Sequence, residues 1–328
     1  MTNIHAPATA GRALAADVAS AAQLACLLEA SAPKPGNVSP GRHFADARYE
    51  DFLASAVAIG GPLAGAGTRA VGETVRLAVE ATARWTRSNT NLGIVLLLTP
   101  IARAALLEKG AVPLFPEHGE KKGYGPFSNL RDAIRDVLES TTVDDARDVY
   151  AAIRRAGPGG LGQVEAEDVA NEPTLTLLDT MRLAADRDGI AHEYATAFEV
   201  TFGTGAPALE RARGAGLSWD DAVVETFLTL LAEHPDTHIV RRGGAALAVE
   251  VSHQARSALA SGGVGSAAGR RAIETMDRLL RDSRNTANPG TTADLTAAAI
   301  FVVLLGGGWS PSQTLRRPDE AFGGVGRP

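Results

Sequence analysis

Leu14, Val18, Ala21, Ala25 and Leu28 recur at steps of four and three, which lays them on one face of a helix ending near Ala30. The same spacing marks residues 49–59 through Phe52, Ala56 and Ile59, with Gly60-Gly61-Pro62 as the stop, and residues 68–85 through Val71, Val75, Ala78 and Ala81. The apolar run from Ile94 through Ile101, Ala105 and Leu106 is too long for a strand and predicts a helix, with Ser88 or Asn89 near its N-cap and Pro100 kinking it or dividing it in two. Helical patterns return over 130–139, from a cap at Thr141 or Thr142 through 155, and over 173–185, 190–202 and 206–212. They continue over 219–233 behind Ser218, and over 236–259, 266–282 and 289–305. Residues 110–127 and the Gly-rich 157–163 interrupt the series. Strand alternation and β-hairpin signals are missing. The expectation is an all-α fold of about a dozen helices, with 1–328 a single all-helical catalytic domain and 305–328 a loosely ordered tail.

Between these patterns lie polar stretches that packing does not require. The fullest is the loop 31–46, which sets Lys34, Asn37, Ser39, Arg42, His43 and Asp46 among Pro33, Pro35, Gly36, Pro40 and Gly41. Prolines there reduce the freedom lost on ordering, and glycines let backbone approach a ligand. Three more stretches share the design: 89–93 with Asn89 and Asn91, 236–244 with Asp236, Arg241, Arg242, Gly243 and Gly244, and 288–294 with Asn288, Gly290, Thr291, Thr292 and Asp294. Each falls at a helix start, where free N–H groups favour anions. An Asn288 cap with Pro289 in the first helical position would leave the amides of 290–292 open to phosphate, with Asp294 one turn on. Each stretch also has an ordinary reading as a capped helix start, with His238 at the surface. Asp186, Asp188, His192 and Glu193 gather at a further helix start, where acidic residues belong in any case.

The balance of 32 Lys and Arg against 38 Asp and Glu, a net charge of −6, offers no excess of cations for a nucleic-acid backbone. The one cysteine, Cys26, lies among apolar residues and reads as a buried, inert thiol suited to a reducing cytoplasm. The first residues lack the pattern of a signal peptide, and no apolar stretch reaches the roughly 18 residues of a membrane span. Neither a zinc motif nor a Walker loop occurs.

Taken together, four blocks are similar to the triphosphoribosyl-dephospho-CoA synthase family: Glu29 with Pro33-Lys34-Pro35-Gly36, Asn89-Thr90 with Gly93, Asp236-Thr237 with Arg242-Gly243-Gly244, and Pro289-Gly290 with Ala293-Asp294-Leu295. The chain looks like a divergent branch, also met beside pterin-dependent one-carbon metabolism. A lysine of the family's second block is Leu92 here, and the family's His-x-Asp appears stretched as His43 to Asp46. The resemblance implies an ATP-dependent transferase that moves the triphosphoribosyl group to the 2′-hydroxyl of 3′-dephospho-CoA with release of adenine. It implies Mg²⁺ as cofactor, with Asp236 and Asp294 as metal ligands. Asp46, His43, Asp236 and Asp294 would be the catalytic groups, and Lys34, Asn37, Ser39, Asn89, Asn91, Arg242, Gly290 and Thr291 the nucleotide-binding ones. Its partners would be ATP and a dephospho-CoA-like acceptor, with a homodimer left open. Two other classes fit the same residues: a Mg²⁺-dependent hydrolase of nucleotides or ribosides, and a non-catalytic helical scaffold.

Overall fold

A computed structural model describes residues 8–107, 128–158 and 167–309, and among these it contains helices and no strand, only an isolated bridge between Ser39 and Arg42. In chain order the helices are α1 (Ala8–Ser31), α2 (Tyr49–Ala58), α3 (Gly60–Ala64), α4 (Val71–Thr82), α5 (Leu92–Leu107), α6 (Ser128–Glu139), α7 (Val143–Ala156) and α8 (Leu177–Ala184). Then come α9 (Gly189–Thr196), α10 (Ala206–Gly214), α11 (Trp219–Glu233), α12 (Thr237–Gly243), α13 (Ala245–Ala260), α14 (Ala267–Leu280) and α15 (Gly290–Leu305). The fold is all-α.

Two of these helices form its centre, for a reason written in their composition. From Leu295 to Leu305, α15 is apolar apart from Thr296 and is buried on every side; α5 is nearly so from Leu92 to Ala102. A helix apolar all round can satisfy that surface only inside the molecule. Helix α1 crosses both and also supports α2 and α3, while α4 packs on α5 and α7, and α10 and α11 close the other flank of α15. One continuous apolar core runs from Val18 to Leu305.

Local signals account for most boundaries. Thr142 and Asp145 form a capping box at the start of α7, and Asp145 also accepts from the Gly72 N–H at 2.8 Å, tying α7 to α4. Ser218 and Asp236 cap α11 and α12 as their sequence positions suggest.

Other expectations fail for identifiable causes. Pro100 does not divide α5. Proline lacks the N–H that would pair with the carbonyl four residues back, and the buried Tyr194 hydroxyl donates to that Leu96 carbonyl at 2.7 Å instead. The single helix expected over 236–259 is two, because Gly244 adopts φ +89° between α12 and α13. Gly60-Gly61-Pro62 opens α3 rather than ending the helical region. The helix expected over 190–202 stops at Thr196, where Ala197 and Phe198 turn left-handed. Buried Glu193 accepts from the Val200 and Thr201 N–H groups at 2.8 and 2.9 Å and so holds the restart, and its burial raises its pKa. A π-helical turn, Thr201–Gly205, then leads into α10. Helix α15 starts at Gly290 with Pro289 in the cap position, one residue later than Asn288 as cap would give.

Cys26 is buried and unpaired, and burial among carboxylates pushes its thiol up. Trp309, at the root of the expected tail, stacks on Trp219 with centroids 5.4 Å apart, so the chain is still packed there; 310–328 lie outside the described residues. So do the whole irregular stretch 110–127 and residues 159–166 of the Gly-rich break.

Candidate functional site

Three helix starts and the loop after α1 meet around one cavity of about 1040 Å³. Of the residues singled out in the sequence, Asn37, Asp46, Asn89, Asn91, Arg242, Gly290, Thr291 and Asp294 line it. Lys34, Ser39, His43 and Asp236 do not.

Asp294 is a cavity-lining carboxylate. It sits one turn into α15, half-buried, with no hydrogen bond or ion pair among the described residues. Burial pushes its pKa well up, and the nearby charges of Glu29, Asp236 and Asp188 push the same way against Arg241. Gly93 lies flush against it: a Cβ at position 93 would fall 2.0 Å from Asp294 Oδ2. That close approach gives Gly93 a packing reason for being glycine.

His238 is the group the sequence reading placed at the surface. It is half-buried in the cavity wall, and its Nδ1 lies 3.0 Å from the Asn288 carbonyl. A carbonyl only accepts, so Nδ1 carries the proton and Nε2 keeps its lone pair. Burial lowers the pKa of the ring, with the charges of Arg241 and Arg242 acting in the same direction. Arg241 was the other underweighted residue. It pairs with Asp188, which also caps α9, and its Nε is buried without a partner. Here the signal was present in the Arg241-Arg242 pair, but only the fold tells which of the two turns toward Asp188.

The residues off the cavity have structural work. Lys34 is fully buried; its ammonium donates to the Glu29 carboxylate at 2.9 Å and to the carbonyls of Glu29 and Ala32. That ammonium is enclosed, and its partner Glu29 lines the cavity. Asp236 uses both oxygens: Oδ1 accepts from the Ile239 N–H at 3.0 Å, and Oδ2 from the Thr292 N–H and hydroxyl, both at 2.7 Å. It is a strut between α12 and α15. His43 is exposed and accepts from the Tyr49 N–H at 3.2 Å. Ser39 is buried, its hydroxyl without a partner. The anion nest expected at α15 is largely spent too, since the Gly290 N–H donates to Asn288 and the Thr292 N–H to Asp236, leaving Thr291.

Asp277 fixes the loop 31–46 from outside, accepting from the Gly36 N–H at 2.8 Å, from Arg42 at 2.9 Å and from Arg281, which also donates to the Asn37 carbonyl. Nothing in its helical surroundings marked it in the sequence. Asn89 and Asn91 each keep part of their amide open, the first capping Leu92 N–H through Oδ1 and the second donating to Thr82. Leu92, beside them, also faces the cavity. Of the two aspartates expected to hold Mg²⁺, Asp236 is buried with both oxygens accepting hydrogen bonds and Asp294 lines the cavity, and among the described residues no group of three His, Cys, Asp or Glu side chains is arranged to hold a metal.

Residues 15–313 match the pattern of the ATP:dephospho-CoA triphosphoribosyl transferase family. The chain belongs to this family. A probable 2-(5″-triphosphoribosyl)-3′-dephosphocoenzyme-A synthase of Pseudomonas putida is 36% identical over 105 residues, 32% of this chain and 37% of that protein. One from Pseudomonas paraeruginosa is 36% identical over 111 residues, 33% of this chain and 37% of its own. The alignments thus span little more than a third of these curated relatives. Among solved structures, a candidate triphosphoribosyl-dephospho-CoA synthase from Archaeoglobus fulgidus superimposes with a TM-score of 0.58 at 27% identity, over 79% of this chain and all of that one. The chain thus shares its sequence pattern with the transferase family and its fold with that solved structure.

Proposed function

We propose that the chain transfers the triphosphoribosyl group of ATP to the 2′-hydroxyl of 3′-dephospho-CoA, releasing adenine. The observation that carries this reading is the pairing, in one cavity, of an unpartnered carboxyl whose pKa is pushed up with a histidine whose pKa is pushed down. A carboxyl pushed up keeps its proton to higher pH and a histidine pushed down stays neutral to lower pH, the states that the acid and the base of one reaction need. In the transfer, the bond from ribose C1 to N9 of adenine breaks and a bond from C1 to the acceptor oxygen forms. His238 Nε2 takes the hydroxyl proton. Asp294, protonated, gives its proton to the departing adenine, which would otherwise leave as an anion. Arg241, Arg242 and the Thr291 N–H hold the triphosphate, and the open amide atoms of Asn89 and Asn91 orient ribose and base. Asp46, exposed at the rim, faces whatever enters.

Mg²⁺ belongs to this reading as part of the MgATP substrate, its ligands chiefly phosphate oxygens and water. No step is assigned to a protein-held ion. A cytoplasmic enzyme fits the chemistry, and gel filtration decides between monomer and homodimer.

The test is incubation with ATP, Mg²⁺ and 3′-dephospho-CoA, with the bases separated chromatographically. The expected products are free adenine and an acceptor heavier by one triphosphoribosyl group. ADP or AMP in place of adenine would refute the assignment, and triphosphoribose released at the same rate without acceptor would make the chain a hydrolase.

A further inference from the structure

The cavity is larger than the triphosphoribosyl donor alone requires. Ligand pockets commonly span about 300–1,000 Å³, and this one reaches about 1040 Å³. Its far limb has a different character from the helix starts around Asp294. One side is α7, with Val149, Tyr150, Ile153 and Arg154; the other is α8 and its exit, with Met181 and Arg187. Residues 167–170 form the third side.

The acids of this limb are tied down. Both Glu167 carboxylate oxygens accept from the Thr174 N–H, and one also from its hydroxyl, while Asp168 accepts from the Ala170 N–H. The arginines are less committed. Arg154 donates through one nitrogen to the Val169 carbonyl at 2.7 Å and Arg187 through one to the Leu183 carbonyl at 3.1 Å, and both side chains are solvent-exposed. Arg187 and Tyr150 line the same cavity. A guanidinium has five N–H donors, so each of the two retains most of its capacity. Between them runs the apolar surface of Val149, Ile153 and Met181.

This inference rests on the transfer reading above and deepens it: the geometry points to the α7–α8 limb as the acceptor subsite, with Arg154 and Arg187 on the acceptor's diphosphate and the Val149–Ile153–Met181 wall under its long, flexible arm. The donor occupies the α5–α12–α15 end. Two bound substrates would then meet near Asp294, each held by its own cations, and the chain would select the acceptor by a phosphate clamp remote from the reacting hydroxyl. Binding energy spent at such a distance positions the nucleophile.

The test uses the full chain and calorimetric titration with each nucleotide alone, followed by turnover. Arg187→Ala is expected to weaken 3′-dephospho-CoA binding about tenfold, the scale of one lost charge-assisted contact, while ATP binding stays within about twofold. Arg187→Lys, which keeps a charge but loses the fork, should recover part of the loss. In turnover, wild-type enzyme should favour 3′-dephospho-CoA over adenosine, which lacks diphosphate and arm, and Arg187→Ala should narrow that preference by the same factor. Unchanged acceptor binding in the alanine variant, or an equal loss for ATP, overturns the subsite. A wild-type chain that binds 3′-dephospho-CoA through Arg187 yet frees no adenine would refute the transferase reading while leaving the subsite standing. If the wild type binds no 3′-dephospho-CoA at all, the subsite falls.

Discussion

Replacing Gly93 by alanine separates activity from stability. The new Cβ would stand 2.0 Å from Asp294 Oδ2 and 2.6 Å from Cγ, where real contacts begin near 3.0 Å, so the carboxyl must retreat by about 1 Å. It is the end of a side chain and can do so at little cost to the fold. Alanine also suits a helix better than glycine by about 1 kcal/mol, and Gly93 lies in the first turn of α5. The melting temperature should therefore hold or rise slightly. Catalysis should not: a misplacement of about 1 Å at a reacting group costs on the order of 100-fold, equivalent to about 2.7 kcal/mol of barrier. The assay is initial-rate adenine release at saturating ATP and acceptor, beside a thermal melt of the same preparation. A turnover number within about threefold of wild type, with the melt unchanged, would refute the claim that Asp294 must stand where Gly93 lets it stand.

Tyr194→Phe should lower stability by about 1–3 kcal/mol in urea titration, the usual cost of orphaning a buried acceptor, because Pro100 offers the Leu96 carbonyl no N–H and the Tyr194 hydroxyl supplies the donor in its place. Asp236→Asn should destabilise by a similar amount and alter the melt more than the Michaelis constant for ATP, since Asp236 joins α12 to α15; an unchanged melt with turnover abolished would return it to the catalytic group. His234 and His238 both have pKa values lowered by burial, so the unfolded chain binds their protons more readily than the folded one. Stability from these two groups is thus intact above the ordinary histidine pKa near 6.5 and falls as pH drops below it; His238→Gln should flatten part of that decline in melts between pH 7.5 and 5.5. Under the acid–base assignment, turnover needs His238 neutral and Asp294 protonated, so the pH profile should be bell-shaped and Asp294→Asn should remove one of its limbs.

The helices were legible because apolar residues recur at helical spacing wherever a face is buried, and the four polar stretches were legible because each gathers several polar side chains, such as Asn89 with Asn91, where a helix cap needs only one. What the pattern could not supply was pairing across the chain. Lys34 reads in the sequence as a phosphate ligand, and in the fold its ammonium pairs with Glu29, five residues earlier at the end of α1. Asp236 reads in the sequence as a metal ligand or a cap, and in the fold Thr292, 56 residues later, donates to one of its oxygens. Neither partner has a periodicity or spacing that announces it. His238 was misjudged for the converse reason: an exposed helix start and a cavity wall have the same local sequence, and only the approach of Asn288 distinguishes them. The split at Gly244 was visible as a glycine pair but not as a conformation, since glycine tolerates a helix as well as breaking one.

Because the cavity draws its wall from the end of the first helix, from the middle of the chain and from the start of the last, no fragment inherits a partial version of it. Occupancy and global folding are then one equilibrium seen from two ends. A ligand present at a hundred times its dissociation constant should add about 2.7 kcal/mol to the whole chain, so a melting screen against a panel of nucleotides reads out recognition without any knowledge of the reaction.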